Sequence, residues 1–167
     1  FIIGISTDKA AQVAGVYGAT KLLMERLFQQ FAENYPDTKY RIVRYGNVLY
    51  STGSVLFKWK HLIETGQGVI VTDPEATRFY WTVSQALDLI FDCLANATNS
   101  KPYVPEMKAM SIKDLLAAMI DKYGSAEHPP THITTIGLQP GENLHERILE
   151  DGMDSSEADQ YTIEEIK

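Results

Sequence analysis

Tyr17 and Lys21 stand four residues apart in a stretch of helical apolar periodicity. On a helix that spacing puts a phenol and an ammonium on one face, where the positive charge favours the ionised phenol and lowers a pKa that starts near ~10. The tyrosinate is then a competent base for an alcohol proton. The spacing recurs at Tyr35 and Lys39, but Pro36 falls inside that copy and breaks the helix the pairing needs. An amphipathic core tyrosine beside a solvated lysine would show the same spacing as Tyr17 and Lys21, so spacing leaves both readings open.

Just upstream, Ser6, Thr7, Asp8 and Lys9 follow directly on the apolar run Phe1-Ile2-Ile3-Gly4-Ile5. They lie where a buried parallel strand would end, which is where open α/β sheets bind their ligands. By itself Asp8 reads as a helix N-cap and Lys9 as a solvated side chain. Together with Tyr17 they put a dense set of proton-transfer groups between one strand and one helix.

Five motifs occur in order: Ser6-Thr7-Asp8-Lys9-Ala10, Tyr17-Gly18-Ala19-Thr20-Lys21, Arg44-Tyr45-Gly46-Asn47-Val48, Thr72-Asp73-Pro74 with Thr77-Arg78-Phe79, and Pro140-Gly141-Glu142-Asn143-Leu144-His145-Glu146. The set resembles the extended short-chain dehydrogenase/reductases that act on nucleotide sugars. Within them it looks most like the inverting UDP-N-acetylglucosamine 4,6-dehydratases of polysaccharide and surface-glycan biosynthesis. The resemblance covers nearly the whole chain.

It implies an α/β fold, the C-terminal part of a Rossmann-like doubly wound parallel sheet with a small α/β substrate-binding region. It also implies NAD or NADP as cofactor, a UDP-sugar as substrate and a homo-oligomer at full length. The catalytic residues it implies are Thr7, Asp8, Lys9, Tyr17 and Lys21. Tyr17 would take the C4 hydroxyl proton, Lys9 the C5 hydrogen, and Asp8 would assist loss of the C6 hydroxyl, with Ser6 or Thr7 hydrogen-bonding near the reacting oxygen. Lys9 would need burial and nearby Lys21 to work as a base. The implied cofactor side comprises Ser6, Tyr17, Lys21, Val48 and Leu49. The implied substrate side comprises Asn47, Ser54, Val55, Thr72, Arg78 and Glu142. Three positions depart from the family's pattern: Tyr50 and Thr52 replace a usual glycine and arginine, and Gln139 replaces an arginine that would pair with phosphate. A related 4-epimerase or 4-reductase would need Tyr17 and Lys21 but not Asp8 and Lys9.

The elements that must position these groups follow from periodicity. A strand is predicted over residues 1–5, a helix over 13–34 whose buried face carries Tyr17, and a second strand over 39–45 centred on Ile42 and Val43. Strand, helix, strand implies a parallel crossover. Residues 46–54 read as a loop, 55–65 as a helix stopped by Gly66, and 69–72 as a short strand. Arg78 suits phosphate or carboxylate recognition, or an ion pair with Asp73 or Glu75. Thr82 and Gln85 form a capping box for a helix to about Asn96, with Val83, Ala86, Leu87, Ile90, Phe91 and Leu94 as its core face. This helix is expected to return to the main sheet, from a substrate-side region starting near residue 67. Tyr103-Val104 is a short strand, Ser111 caps a helix over 112–123, residues 124–131 form a linker and 132–136 a strand. His145 reads as a structural histidine, and the acids of the tail from Glu150 to Lys167 lack calcium-loop spacing, giving loop and edge strand and no metal site.

Composition bounds the rest. The chain has 167 residues, 44% hydrophobic and 22% charged, enough for one domain with a core. A net charge of −7 leaves no basic footprint for nucleic acid or anionic membrane, and no apolar run approaches the ~20 residues of a membrane span. The single cysteine, Cys93, reads as a small buried hydrophobe in a reducing, cytoplasmic setting. No Gly-x-Gly-x-x-Gly follows a strand, so the chain is expected to be a portion of a longer enzyme whose glycine-rich half lies upstream, and to be inactive in isolation.

Overall fold

The structure is a computed structural model describing residues 1–127 and 132–167. β1 (Ile2–Thr7) runs straight into a 3-10 turn at Asp8–Ala10, then α1 (Val16–Asn34) crosses back and β2 (Tyr40–Tyr45) pairs parallel to β1 from Ile2 opposite Tyr40 to Thr7 opposite Tyr45. The predicted crossover is therefore present. α1 begins three residues later than expected, because Ala11 to Ala14 run as turn and extended chain to Gly15, its N-cap.

The face that α1 buries also differs from expectation. Met24 and Phe28 pack down on Gly4, and Gly18 lies so close to the 3-10 turn that a Cβ there would sit 2.2 Å from the Lys9 carbonyl oxygen. With Gly18 pinned inward, the preceding residue is turned about 100° away. Tyr17 is accordingly 57% exposed. Gly18→Ala must push helix and turn apart, a backbone clash expected to cost about 1–3 kcal/mol, read as a fall in the denaturant midpoint.

Beyond β2 the chain forms β3 (Asn47–Val48), α2 (Val55–Glu64), β4 (Val69–Val71) and β5 (Thr77–Trp81). The loop expected over 46–54 thus contains a two-residue strand, and β5 lies in a segment not read as a strand. β5 is buried along its whole length, parallel to β3 on one side and antiparallel to β7 (Ala109–Ser111) on the other. α3 (Val83–Asn96) starts at the expected capping box. β6 (Pro102–Tyr103) extends the first sheet to the order β1-β2-β6. α4 (Ile112–Tyr123) is capped by Ser111, and β8 (Ile133–Thr135) pairs parallel to β4. The expected linker over 124–131 lies partly outside the described residues. The tail makes isolated bridges and ends in one helical turn, α5 (Ile163–Ile166), instead of an edge strand.

Two main clusters hold these layers. Leu56, Trp59 and Ile63 of α2 meet Val69 and Val71 of β4 and Leu115, Leu116 and Met119 of α4. Val43 and Trp81 meet Leu89 and Cys93 of α3, which packs against the first sheet. α3 is turned from its expected face: Ala86, Leu89 and Cys93 are buried, while Val83, Leu87 and Phe91 are exposed. Apolar residues nearly encircle this helix, so tertiary contact with Trp81 chooses the buried side. Among the described residues no helix is long and apolar enough to cross a membrane.

Candidate active site

The C-terminal end of β1 delivers Asp8 and Lys9, and β3 and β5 deliver Asn47 and Arg78 to the same place. Asp8 is fully buried, and its Oδ1 accepts from the Thr7 hydroxyl at 2.7 Å, the Lys9 amide at 2.9 Å and Lys9 Nζ at 3.0 Å. Its Oδ2 is one of two buried side-chain oxygen atoms without a hydrogen-bond partner among the described residues, the other being Ser54 Oγ. Lys9 Nζ also donates to Asn47 Oδ1 at 3.3 Å.

Lys9 forms part of the wall of a pocket of about 350 Å³. All six residues expected on the substrate side, Asn47, Ser54, Val55, Thr72, Arg78 and Glu142, line it as well, with Val48. Ser51, Tyr80 and Glu146 complete its polar wall. Thr7 and Asp8 are not among the lining residues: both are buried, next to Lys9 in the chain. Tyr17 and Lys21 lie outside this pocket, so the expected convergence of Asp8, Lys9 and Tyr17 on one hollow holds for Lys9 alone. Leu49 lines a second cavity of about 280 Å³ against α4, which shares Leu56 and Tyr80 with the first.

Lys21 Nζ donates to the Ile5 carbonyl at 2.9 Å and sits 5.9 Å from the centre of the Tyr17 ring. The Tyr45 hydroxyl, near Tyr17, has its pKa raised by burial and then by that neighbour. The residues present fit one end of a nicotinamide cofactor: an exposed phenol with an amine behind it at the end of a parallel strand, but no glycine-rich turn for a pyrophosphate. The Ser6 hydroxyl, expected toward the cofactor, instead donates to Glu25.

Glu25 belongs to a buried ion-pair network that periodicity did not reveal. Arg44 Nε donates to Glu25 Oε1 at 3.0 Å and one terminal nitrogen to Oε2 at 2.6 Å, while the guanidinium also reaches Glu150 at 3.2 and 3.3 Å and the Ile148 carbonyl at 2.8 Å. Burial works against the Arg44 charge, but the Glu25 and Glu150 hydrogen bonds overcome it and raise its pKa. Glu25 carried a usable signal, since it lies between Met24 and Phe28 on the inward stripe of α1.

Arg78 pairs with neither Asp73 nor Glu75. One terminal nitrogen donates to the Thr77 and Leu144 carbonyls at 2.8 and 2.9 Å, and its Nε lies 3.9 Å from Glu146 Oε1. β5 is buried on both sides, which turns Arg78 into the pocket and away from the exposed loop acids. Burial pushes the Tyr80 hydroxyl up to about 12, with Arg78 pulling the other way and Asp8 adding to the rise. His145 Nδ1 lies 2.8 Å from the Thr77 hydroxyl, tying the 142–146 segment to β5. Tyr50 adopts φ 54°, a left-handed conformation that costs a non-glycine residue about 1–2 kcal/mol, and its hydroxyl is held 2.8 Å from that of Tyr123. Its backbone accounts for the glycine expected there.

A parallel β-α-β crossover with Tyr17 and Lys21 on its helix and a ligand pocket at the strand ends defines the class of the extended short-chain dehydrogenase/reductases. Within it, the chain belongs to the polysaccharide biosynthesis protein family, whose model matches residues 1–166. It is 40% identical to the capsular polysaccharide biosynthesis protein CapD of Staphylococcus aureus over 87% of this chain and 24% of that protein. It is 33% identical to the inverting UDP-N-acetylglucosamine 4,6-dehydratase of Campylobacter jejuni over 88% of this chain and 42% of the enzyme. The crystal structure of Pen from Bacillus thuringiensis matches with a TM-score of 0.79 at 31% identity, over 88% of this chain and 46% of that one. The chain thus spans less than half the length of each of these three proteins.

Proposed function

We propose that the chain is the substrate-facing part of an NAD- or NADP-dependent nucleotide-sugar 4,6-dehydratase acting on a UDP-N-acetylglucosamine-like sugar. The observation that carries this reading is the Asp8–Lys9 ion pair at the edge of a pocket lined by Asn47, Arg78 and Glu142. An epimerase has no use for such a pair. The same reading makes the protein a cytoplasmic enzyme that works as a homo-oligomer.

A bound nicotinamide cofactor would accept hydride from the sugar and return it. Tyr17, with Lys21 behind it, takes the C4 hydroxyl proton. The ketone at C4 acidifies the hydrogen on C5. Lys9 passes one proton to Asp8, 3.0 Å away, and as a free amine removes that hydrogen. Lys9, the member of the pair that lines the pocket, then hands a proton to the departing C6 hydroxyl, water leaves, and Asp8, the buried acid behind it, returns its proton to Lys9. Both side chains end in their starting protonation states, so the step balances without another reagent.

Mass spectrometry of UDP-N-acetylglucosamine incubated with cofactor and the protein, joined to a glycine-rich dinucleotide-binding half, tests the reading. Loss of one water from the sugar is expected, with solvent deuterium at C5. A product of unchanged mass would replace dehydration by 4-epimerisation.

A further inference from the structure

Tyr17 must meet a sugar held in a pocket that it does not itself line, so what fixes the start of α1 to the pocket wall matters. That start carries no cap of its own. Gly15, the N-cap, has no side chain to accept from the first turn, and no acid follows there. Tyr17 is the second residue of the helix, where an uncapped end frays first.

The support comes from residues 141–146. Gly15 adopts φ −146° and ψ 174°, an extended conformation open to any residue, but a Cβ there would lie 3.4 Å from Gly141 Cα, so the two backbones pack on each other. Asn143 Nδ2 donates to the Gln12 carbonyl and to Glu146 Oε2, each at 3.3 Å. Both partners are acceptors, so the bridge needs the two N–H groups of the amide. Among the described residues, Asn143 is the only side chain hydrogen-bonded to residues 11–15. The other end of the bridge is anchored: Glu146 is 2% exposed, its Oε1 lies 3.9 Å from Lys9 Nζ, and its backbone N–H donates to Ser155 Oγ at 2.9 Å. Gly141, Glu142 and Glu146 all line the pocket. We infer that Asn143 is a positioning residue, whose amide ties the linker between Lys9 and Tyr17 to the pocket wall and so sets the phenol against the bound ligand. The tie rests on geometry alone. That the positioned group is a base rests on the nucleotide-sugar reading.

Hydrogen exchange and kinetics of Asn143→Ala and Asn143→Asp test this. The Ala19 amide, which donates to the Gly15 carbonyl at 3.1 Å, reports on the start of α1. Its exchange, followed by NMR on the chain itself, is expected to quicken about two- to tenfold in Asn143→Ala, the factor that one hydrogen bond is worth. Asp keeps the shape of Asn but sets a carboxylate against the Gln12 carbonyl and Glu146, so Asn143→Asp should quicken Ala19 at least as much. The Ile42 and Val43 amides of β2 should not change in either variant. In the protein joined to a glycine-rich dinucleotide-binding half, both variants should lose about the same factor in kcat for UDP-N-acetylglucosamine, with KM held within about twofold. A role in packing alone would be kept by Asp, so parental exchange at Ala19 in Asn143→Asp overturns the proposal. So does parental exchange in Asn143→Ala, or a rise shared equally by Ala19, Ile42 and Val43, which marks a general loss of stability. Parental kcat in Asn143→Ala overturns it where Tyr17→Phe is slow. Where both turn over at the parental rate, the base reading of Tyr17 falls instead, and Ala19 exchange alone decides the tie.

Discussion

Glu25→Ala is expected to destabilise the protein by about 3–5 kcal/mol, because it strands a guanidinium with no solvent exposure and removes its bidentate partner. For a chain of this size that corresponds to a fall of roughly 6–20 °C in Tm. The half-exposed Glu150 remains near Arg44 but cannot replace two short hydrogen bonds from within the core. The Ser6 hydroxyl loses its acceptor too. Thermal unfolding of Glu25→Ala, Arg44→Met and the double variant checks the argument: the double variant should lose less than the sum, since neither charge is then left alone. A Tm within 2 °C of the parent for Glu25→Ala would show that the pair is not a structural tie. Acid adds a second reading. Burial acts to raise the Glu150 pKa, but the Arg44 hydrogen bond, a backbone hydrogen bond and the charges of Arg44 and Arg26 together overcome it and set it below the ordinary 4.5. Its small contribution is thus present above that value and fades as pH falls through the lowered one, and Glu150→Gln removes that part of the acid dependence.

Tyr17→Phe is the opposite kind of experiment. The side chain is more than half exposed, so its loss should leave stability within about 0.5 kcal/mol. If Tyr17 takes the C4 proton, turnover should fall by about 10²- to 10⁴-fold, the usual worth of a positioned base. The measurement is the rate of C4 oxidation of UDP-N-acetylglucosamine, in a fusion that supplies a glycine-rich dinucleotide-binding half. Oxidation at an undiminished rate removes Tyr17 from the scheme. Nearby Tyr45, partly buried and harder to ionise, should not substitute for it.

Sequence spacing located the elements well where one face is wet. The crossover from β1 to β2, the capping box of Thr82 and Gln85 and the stop at Gly66 are local features written in local residues. β5 was invisible for the opposite reason: Thr77 to Trp81 are buried on both sides, so no alternation survives to be read. The rotation of α1 depends on a backbone approach at Gly18 that no periodicity records. The residues expected on the substrate side line the pocket, whereas Glu146 in its wall and Glu25 in the Arg44 network outside it were missed, being carboxylates whose partners are distant in sequence.

β5 sets Arg78 and Tyr80 toward the pocket and Thr77, Phe79 and Trp81 the other way. Its neighbours hold this register from two directions, Thr77 opposite Ser111 and Tyr80 opposite Asn47. A slip of one residue would exchange the two sets wholesale. The cavity chemistry therefore has only a right and an inverted setting, with no graded intermediate. Variation that tunes what the protein recognises has to accumulate in the connecting segments, such as those carrying Tyr50 and Gln139, while the strand itself is barred from drifting.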